Sequence, residues 1–496
     1  MWKRIPFAYW LALSISAGVF LLWLRPTLAS AQSIPTAVAN MVPGTWLRVP
    51  NSNLTAVNPC PANNCSYSSA SGFNAVMDAW SGGTFDSTRN RLIVWGGGHN
   101  DYAGNEVYAF DMTTLTWSRL TNPSTPNASN SGIYADGTPS SRHTYGALAY
   151  LPNVDRMFNA GGPTYQSGSG NNMTWFFNFS NNTWQRRTNA PIPSNGQCCG
   201  YAAAYDPVTG HVFRSHGDGL SEYDANANTW TNHGGSSPSL YINVAIAPAD
   251  RLMVAVGGGS YGVAGTYYWR LNPPSGSLTK ANTTGDKIVE LGAAPGFAWS
   301  SAANVFVGWN GGASVYTLDP KTWVWTKIDP ADANIVVPTT PNSRGTYGRF
   351  QYVPAMNIFV LVNRVNEDVY IYKPNFGAST TPSSAPTVQI SASPSSLTSG
   401  SSSTLTWSST NASSCTASGA WSGTKAISGS QSTGALTVNS TFTLTCTGTT
   451  GSTSRSTLVA VAAVPVMHCS ADRQYGLHYI GILFHSYLEF DQCKLM

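Results

Sequence analysis

The sequence predicts an all-β protein, a large array of four-stranded units followed by a smaller β unit. Three observations predict it. Charged residues are only 10% of the 496, while aromatics are 12% and there are 47 Gly and 30 Pro. Ordinary soluble proteins carry about 25% charged residues, and helical arrays or coiled coils need Glu, Lys and Leu. The 42% of hydrophobic residues is enough to fill a core, which argues against general disorder. A Trp-ended marker also recurs at an even spacing. The length suits roughly three domains at about 150 residues each, although large all-β units exceed that size. The net charge of +4 gives no electrostatic footprint for nucleic acid.

The chain opens as an export signal. Lys3 and Arg4 precede an apolar stretch from Pro6 to Leu24, and Ala29-Ser30-Ala31 offers a small-x-small cleavage site before Gln32. Residues 1–31 are therefore read as a signal peptide. An uncleaved anchor is the alternative, because the stretch is long enough to span a bilayer. No later stretch is. The protein is expected to be secreted, extracellular or periplasmic, and a monomer.

Eight cysteines form four local pairs, which suits an oxidising compartment. On proximity, Cys60–Cys65 and Cys415–Cys446 are expected disulfides. Cys198-Cys199 is either a vicinal disulfide or a pair facing opposite sides of a strand. Cys469 and Cys493 staple the tail if it is ordered. No C-x-x-C motif exists, so a zinc ribbon or thioredoxin-like site is not expected.

The repeat defines the large domain. Asp111 leads to Trp117, Asn178 to Trp184, Asp224 to Trp230, Asn272 to Leu278 and Asp319 to Trp325. Each marker follows an apolar run that usually ends in glycines: LIVWGGG from Leu92, MFNAGG from Met157, LMVAVGGG from Leu252 and VFVGWNGG from Val305. VFRSHGDG from Val212 is rougher. The last three intervals are 46 (184 to 230), 48 (230 to 278) and 47 (278 to 325). That period fits a four-stranded propeller blade. A sixth unit begins near Arg344 and stops at Pro374 before any Trp strand. Thr45-Trp46-Leu47-Arg48 resembles Thr116-Trp117-Ser118-Arg119 and is expected to supply the missing outer strand. Such closure removes exposed sheet edges. Residues 41–374 are thus read as a six-bladed β-propeller closed by an N-terminal strand.

The glycines ending strand two, the Tyr in strand three and the Trp in strand four resemble those of the kelch-repeat, galactose-oxidase-like propeller superfamily. The stretch GGGHNDYAGNEVYAFD from Gly96 looks like a signature of its secreted bacterial members. The resemblance implies the fold, while one fold hosts many functions. Copper-radical oxidase chemistry is not carried over. It needs a late Tyr-His pair, none of which occurs in this chain, and the sixth unit holds no His.

Residues 375–385 are a Ser/Thr/Pro-rich linker. Residues 386–463 alternate again, and the run from Thr404 to Gly423 resembles small bacterial immunoglobulin-like domains. That implies a sandwich with a Cys415–Cys446 bridge across it, and Trp407 and Trp421 in its core. The tail 464–496 continues neither pattern and is of uncertain order.

Strand order places the loops between second and third strands on the same face as the interblade connections. These connections are long, whereas the first-to-second turns on the opposite face are tight. Long loops on a rigid scaffold carry binding. The candidate rim on this face comprises His99, Asp101, Tyr102, His143, Tyr145, His216, Asp218, Tyr241, Arg344, Tyr347 and Arg364. Trp80 and the tyrosines would suit stacking on sugar faces. His99, His143 and His216, with Asp101 or Asp218, are read as Zn²⁺ or Cu²⁺ ligands, as acid/base groups, or as hydrogen-bonding loop residues. No cofactor is required, no metal is assigned and no catalytic residue is named. The expected function is a secreted or surface binding protein for a glycan or extracellular protein. The alternative is a carbohydrate-active enzyme (lyase, hydrolase or sugar epimerase) using the rim His, Asp and Arg.

Overall fold

A computed structural model of the chain describes residues 34–126, 132–168, 170–191, 199–217, 219–238, 240–259, 262–376, 386–412, 414–448 and 451–462. The signal segment, most of the linker, the tail, Cys198 and Asp218 lie outside the described residues. The chain divides into two compact units, Met1–Asn375 and Phe376–Met496. Both are built of strands, and no helix among the described residues is long and apolar enough to cross a membrane.

Among the described residues, the first unit contains six sheets. The first sheet orders Gly82–Asp86, Arg91–Trp95, Tyr108–Asp111 and Thr116–Arg119 as consecutive antiparallel neighbours. The second repeats this with strands beginning at Leu148, Arg156, Thr174 and Thr183, and the third with strands beginning at Ala202, Val212, Gly219 and Thr229. The fourth begins its strands at Ile242, Leu252, Gly265 and Thr279. The fifth begins at Gly296, Val305, Val315 and Val324, and gains a fifth strand, Thr284–Gly285, parallel to its outer edge.

The sixth sheet is completed from the N-terminus. Thr45–Arg48 pairs antiparallel with Tyr370–Lys373, placing Trp46 opposite Tyr372 and Arg48 opposite Tyr370. Trp46 is buried between Tyr372 and Trp309, and its indole N–H donates to the Ala313 carbonyl at 2.8 Å. The first strands of the six sheets neighbour one another in chain order, and Phe350–Val353 neighbours Gly82–Asp86, so the succession returns to its start. A cavity of about 300 Å³ is lined from all six first strands and their following turns, with Phe85, Tyr150, Tyr205, Trp299 and Tyr352 in its wall.

The recurring marker has a local cause. The carboxylate or amide oxygen at its head accepts backbone N–H bonds two or three residues on: Asp111 from Thr113 and Thr114, Asn178 from Ser180, Asp224 from Asn226 and Ala227, Asp319 from Lys321. Short Asx side chains favour such turns. Leu115, Asn182, Asn228 and Trp323 then take positive φ, reversing the chain into the outer strand. The Trp that follows anchors that strand: Trp117 donates to the Ser52 carbonyl, and Trp325 to Glu290. On the tight-turn side, ion pairs link neighbouring sheets. Arg89 binds Asp155 through both guanidinium nitrogens at 2.8 and 2.6 Å, and Arg251 meets the fully buried Asp206 at 2.7 Å.

Among the described residues, the second unit has two sheets. One orders Thr387–Ser393, Thr404–Thr410 and Ser428–Ser432; the other runs Ser396–Thr398, Gly451–Ala462, Ser440–Gly448, Ser414–Gly419 and Gly423–Lys425. Their shared core holds Leu405, Trp407, Trp421, Phe442 and Leu444. Cys415–Cys446 is a disulfide, as is Cys60–Cys65. The expected bridge across a sandwich is corrected in one respect. Cys415 and Cys446 are directly opposed on adjacent strands of one sheet, so the bond staples a strand pair.

Candidate functional site

A residue one to three positions before each first strand sets up the centre of the loop-rich face. Trp80, Tyr145, Tyr201, Tyr241, Ala294 and Tyr347 occupy this place in the six sheets, and they pack as one cluster. Trp80, Tyr145 and Tyr347 each have φ of 48°, with Ala294 at 44°. Left-handed backbone is unfavourable for such residues and persists where surrounding contacts over-determine it. Here sheet-to-sheet backbone bonds do so. Tyr145 donates to the Trp80 carbonyl at 2.7 Å, Ala294 to Tyr241 at 3.0 Å and Tyr347 to Ala294 at 3.0 Å. Gly82 must lack a side chain, because a Cβ would lie 2.0 Å from the Tyr145 carbonyl oxygen.

This cluster corrects part of the expected rim. Tyr145, Tyr347 and Tyr241 are buried in one aromatic cluster. The cavity lined by the six first strands lies among the tight turns instead. Tyr102 is also buried. Its ring packs edge-on against Tyr67 and Phe73, and its hydroxyl donates to Glu106 at 2.7 Å. The expected exposed tyrosine platform is therefore absent among the described residues, and only Trp80 of that set is half-buried. Burial, with the hydrogen bond from Tyr102 opposing it, pushes the Glu106 carboxyl up to about 7.

Beside the aromatic cluster, three candidate residues converge. His99 and Asp101 lie in the loop after Arg91–Trp95, and His143 lies ahead of the second sheet. One nitrogen or oxygen from each falls within 4.8 Å of the others. His143 Nε2 is 3.1 Å from Asp101 Oδ2, and the His99 and His143 rings stack at 4.9 Å. His143 is held by Trp80 at 4.8 Å and by Tyr145 edge-on at 5.9 Å. Its backbone N–H donates to Pro163. The neighbouring Arg142, fully buried, pins the same segment through the carbonyls of Gly132, Ser140 and Gly161. Burial holds the His143 imidazole below its ordinary value, and the His143 hydrogen bond holds Asp101 below the usual carboxylate range.

The glycine run before His99 is explained by this convergence. Gly98 has φ of 84°, and a Cβ there would sit 2.4 Å from His143 Nε2 and 2.8 Å from Asp101 Oδ2. Backbone passes where no other residue fits. Ser71 Oγ donates to Asp101 Oδ1 at 3.2 Å. Arg344 reaches from the sixth sheet, its guanidinium 4.5 Å above the Trp80 ring and 4.0 Å from Asp101 Oδ1. Asn342 orients that loop, accepting from the Arg344 N–H and donating to Asp78.

Other candidates stand apart from this convergence. His216 is fully buried at the end of Val212–His216 and stacks on Tyr201 at 4.0 Å, outside the three-residue group. The reading in which all three histidines share one metal is not met by His216; the residues that meet are His99, His143 and Asp101. Arg364 is engaged locally, by Glu367 at 2.9 Å and the Thr340 carbonyl. Cys199 is disulfide-bonded.

Sequence reading missed several contributors. Ser71, Gly98 and Tyr201 carry no local signature that marks them. A second set, His211 and His233, flanks Glu222, with contacts of 2.6 and 2.9 Å. Strand alternation could have found it, because Glu222 and Thr231 are cross-strand partners two residues from His233.

No family model matches the sequence, and no curated protein matches it. A solved structure titled "Structure of YjhT" aligns with 60% of this chain and 93% of its own length, at 11% identity and a TM-score of 0.40. A likeness at that level carries no argument about this chain.

Proposed function

We propose that residues 41–374 form a six-bladed β-propeller and that the chain is an exported carbohydrate-binding protein. In this reading, binding is through the face bearing His99, Asp101, His143 and Arg344. The returning succession of first strands, the cavity they line and the N-terminal strand in the sixth sheet support the propeller. The second unit then serves as an immunoglobulin-like spacer. Two disulfides among the described residues fit an oxidising compartment.

The observation that carries the binding reading is the convergence of His99, Asp101, His143, Arg344 and Trp80 from separate loops. The group presents donors, acceptors and an aromatic edge together. Convergent polar groups beside aromatic surface suit a sugar, whose hydroxyls need both donors and acceptors. The Arg344 side chain is 43% exposed and is the most accessible contact. The 3.1 Å His143–Asp101 contact favours a second reading, a carbohydrate-active enzyme with this pair in acid/base work.

A glycan-array screen of the exported chain tests the first reading. Selective binding that Arg344→Ala abolishes supports it. No selective binding overturns it. Conversion of a bound glycan would move the assignment to the enzyme.

A further inference from the structure

We propose that His99, Asp101 and His143 form a binding site for one first-row divalent cation, zinc being the probe of choice. The inference goes beyond the carbohydrate reading and does not depend on it. Its first ground is the donor set. Two imidazoles and one carboxylate suit Zn²⁺ and its neighbours better than Ca²⁺ or Mg²⁺, which take oxygen ligands. One ligand atom of each residue already lies within 4.8 Å of the others. Zinc holds its ligands at about 2.0–2.1 Å, which sets neighbouring ligands about 3.3 Å apart in a tetrahedron. His143 Nε2 and Asp101 Oδ2, at 3.1 Å, are near that spacing now. The His99 nitrogen, within 4.8 Å of the other two atoms, needs an adjustment of at most about 1.5 Å to reach it, within the range of side-chain rotation.

The second ground is the room left for the group. The Gly98 backbone runs so close that any Cβ would occupy the space against His143 Nε2 and Asp101 Oδ2. A plain hydrogen-bonded His–Asp pair does not need three converging donors beside such a cradle. The third ground is an orphan: His99 Nδ1 is buried without a hydrogen-bond partner. A buried ring nitrogen without a partner is costly, and a cation bound at that nitrogen offsets the cost.

The surroundings match what ligands require outside the first contacts. Ser71 Oγ and Arg344 engage Asp101 Oδ1, leaving Oδ2 to face His143. Trp80 and Tyr145 fix the His143 ring. Such outer partners orient the ligands. The cation takes the position between Asp101 Oδ2 and His143 Nε2, the imidazole proton moving to Nδ1. Three protein ligands leave a fourth position open, as in sites that also bind a small ligand or water. His216 takes no part.

The test uses the full exported chain, stripped with a chelator and titrated with Zn²⁺ by calorimetry, with bound metal counted by elemental analysis. Melting curves of the metal-free proteins confirm folding. The expected result is one equivalent bound by the wild type and by His211→Ala, which changes the third sheet. His99→Ala and Asp101→Asn fold but bind no stoichiometric zinc. Ser71→Ala, acting through Asp101, weakens binding roughly tenfold. Failure of the wild type to bind one equivalent overturns the proposal, as does wild-type affinity in both His99→Ala and Asp101→Asn. Loss of binding in His211→Ala also overturns it, by placing the ion elsewhere. Glycan binding that persists in metal-free protein removes any role for zinc in that binding and leaves the carbohydrate reading standing.

Discussion

Replacing Glu106 by Gln is expected to stabilise the protein at pH 8 and to do much less at pH 5. Glu106 is 1% exposed beneath the loop that carries His99 and Asp101. Tyr102 donates to one carboxylate oxygen, while the other, Oε2, has no partner. Burial raises its pKa from 4.5 to about 7. The folded carboxyl thus holds its proton more tightly than the unfolded one. Folding takes up a proton between pH ~4.5 and ~7, so stability falls as pH rises through that window. Each pKa unit is worth about 1.4 kcal/mol, which puts the full cost above pH 7 at about 3 kcal/mol. Gln keeps an oxygen for Tyr102 and turns its amide toward the Tyr108 hydroxyl, which lies close enough to interact with Glu106. The weaker neutral hydrogen bond returns about 1 kcal/mol of that gain. A net gain of about 2 kcal/mol at pH 8 is expected, a rise in Tm on the order of 5 °C. Thermal unfolding of both proteins at pH 5 and pH 8 measures it. An equal Tm difference at the two pH values, or a less stable variant at pH 8, refutes the reasoning.

Three further outcomes follow from packing and charge. Trp46→Ala removes a buried indole that closes the sixth sheet, and unfolding by denaturant should show a loss of about 3–5 kcal/mol. A midpoint unchanged from wild type would dismiss the closing role. Asp206→Asn breaks a pair whose carboxylate is fully buried and held below its usual pKa by Arg251. It should lose about 3 kcal/mol at pH 7. Because the Asp206 pKa is depressed, its contribution is present above pH ~4 and lost as pH falls below that, so the two proteins should converge in acid. Gly82→Ala drives a methyl into the Tyr145 carbonyl oxygen and should lower soluble yield and Tm together, while Gly137→Ala, with open space around it, carries only the strain of its positive φ.

The repeat was legible because four of its units encode their own turns. Asp111, Asn178, Asp224 and Asp319 cap their turns locally, and a local signal needs no tertiary context. The N-terminal strand was legible by subtraction, since a unit ending at Pro374 lacked its Trp and Trp46 lacked a sheet. The site was less so. His143 and Asp101 sit in loops, where no alternation reveals side-chain direction, and their meeting depends on two adjacent sheets. Tyr102 follows the same irregular run, so sequence could not show that it turns inward to Glu106. His216 ends a regular strand, and its direction was fixed by a pleat whose register was not knowable beforehand. The disulfide in the second unit was found by proximity, but its placement within one sheet required the pairing register of Ser414–Gly419 with Ser440–Gly448.

The ligand face proposed for this protein is that of His99, Asp101, His143 and Arg344. The most direct measurement is a binding titration of the best array glycan against wild type, Arg344→Ala and His211→Ala. The expected result is at least a tenfold loss for Arg344→Ala, about the worth of one charge-assisted hydrogen bond, with His211→Ala unchanged. Equal affinity for wild type and Arg344→Ala, or a loss confined to His211→Ala, would contradict it.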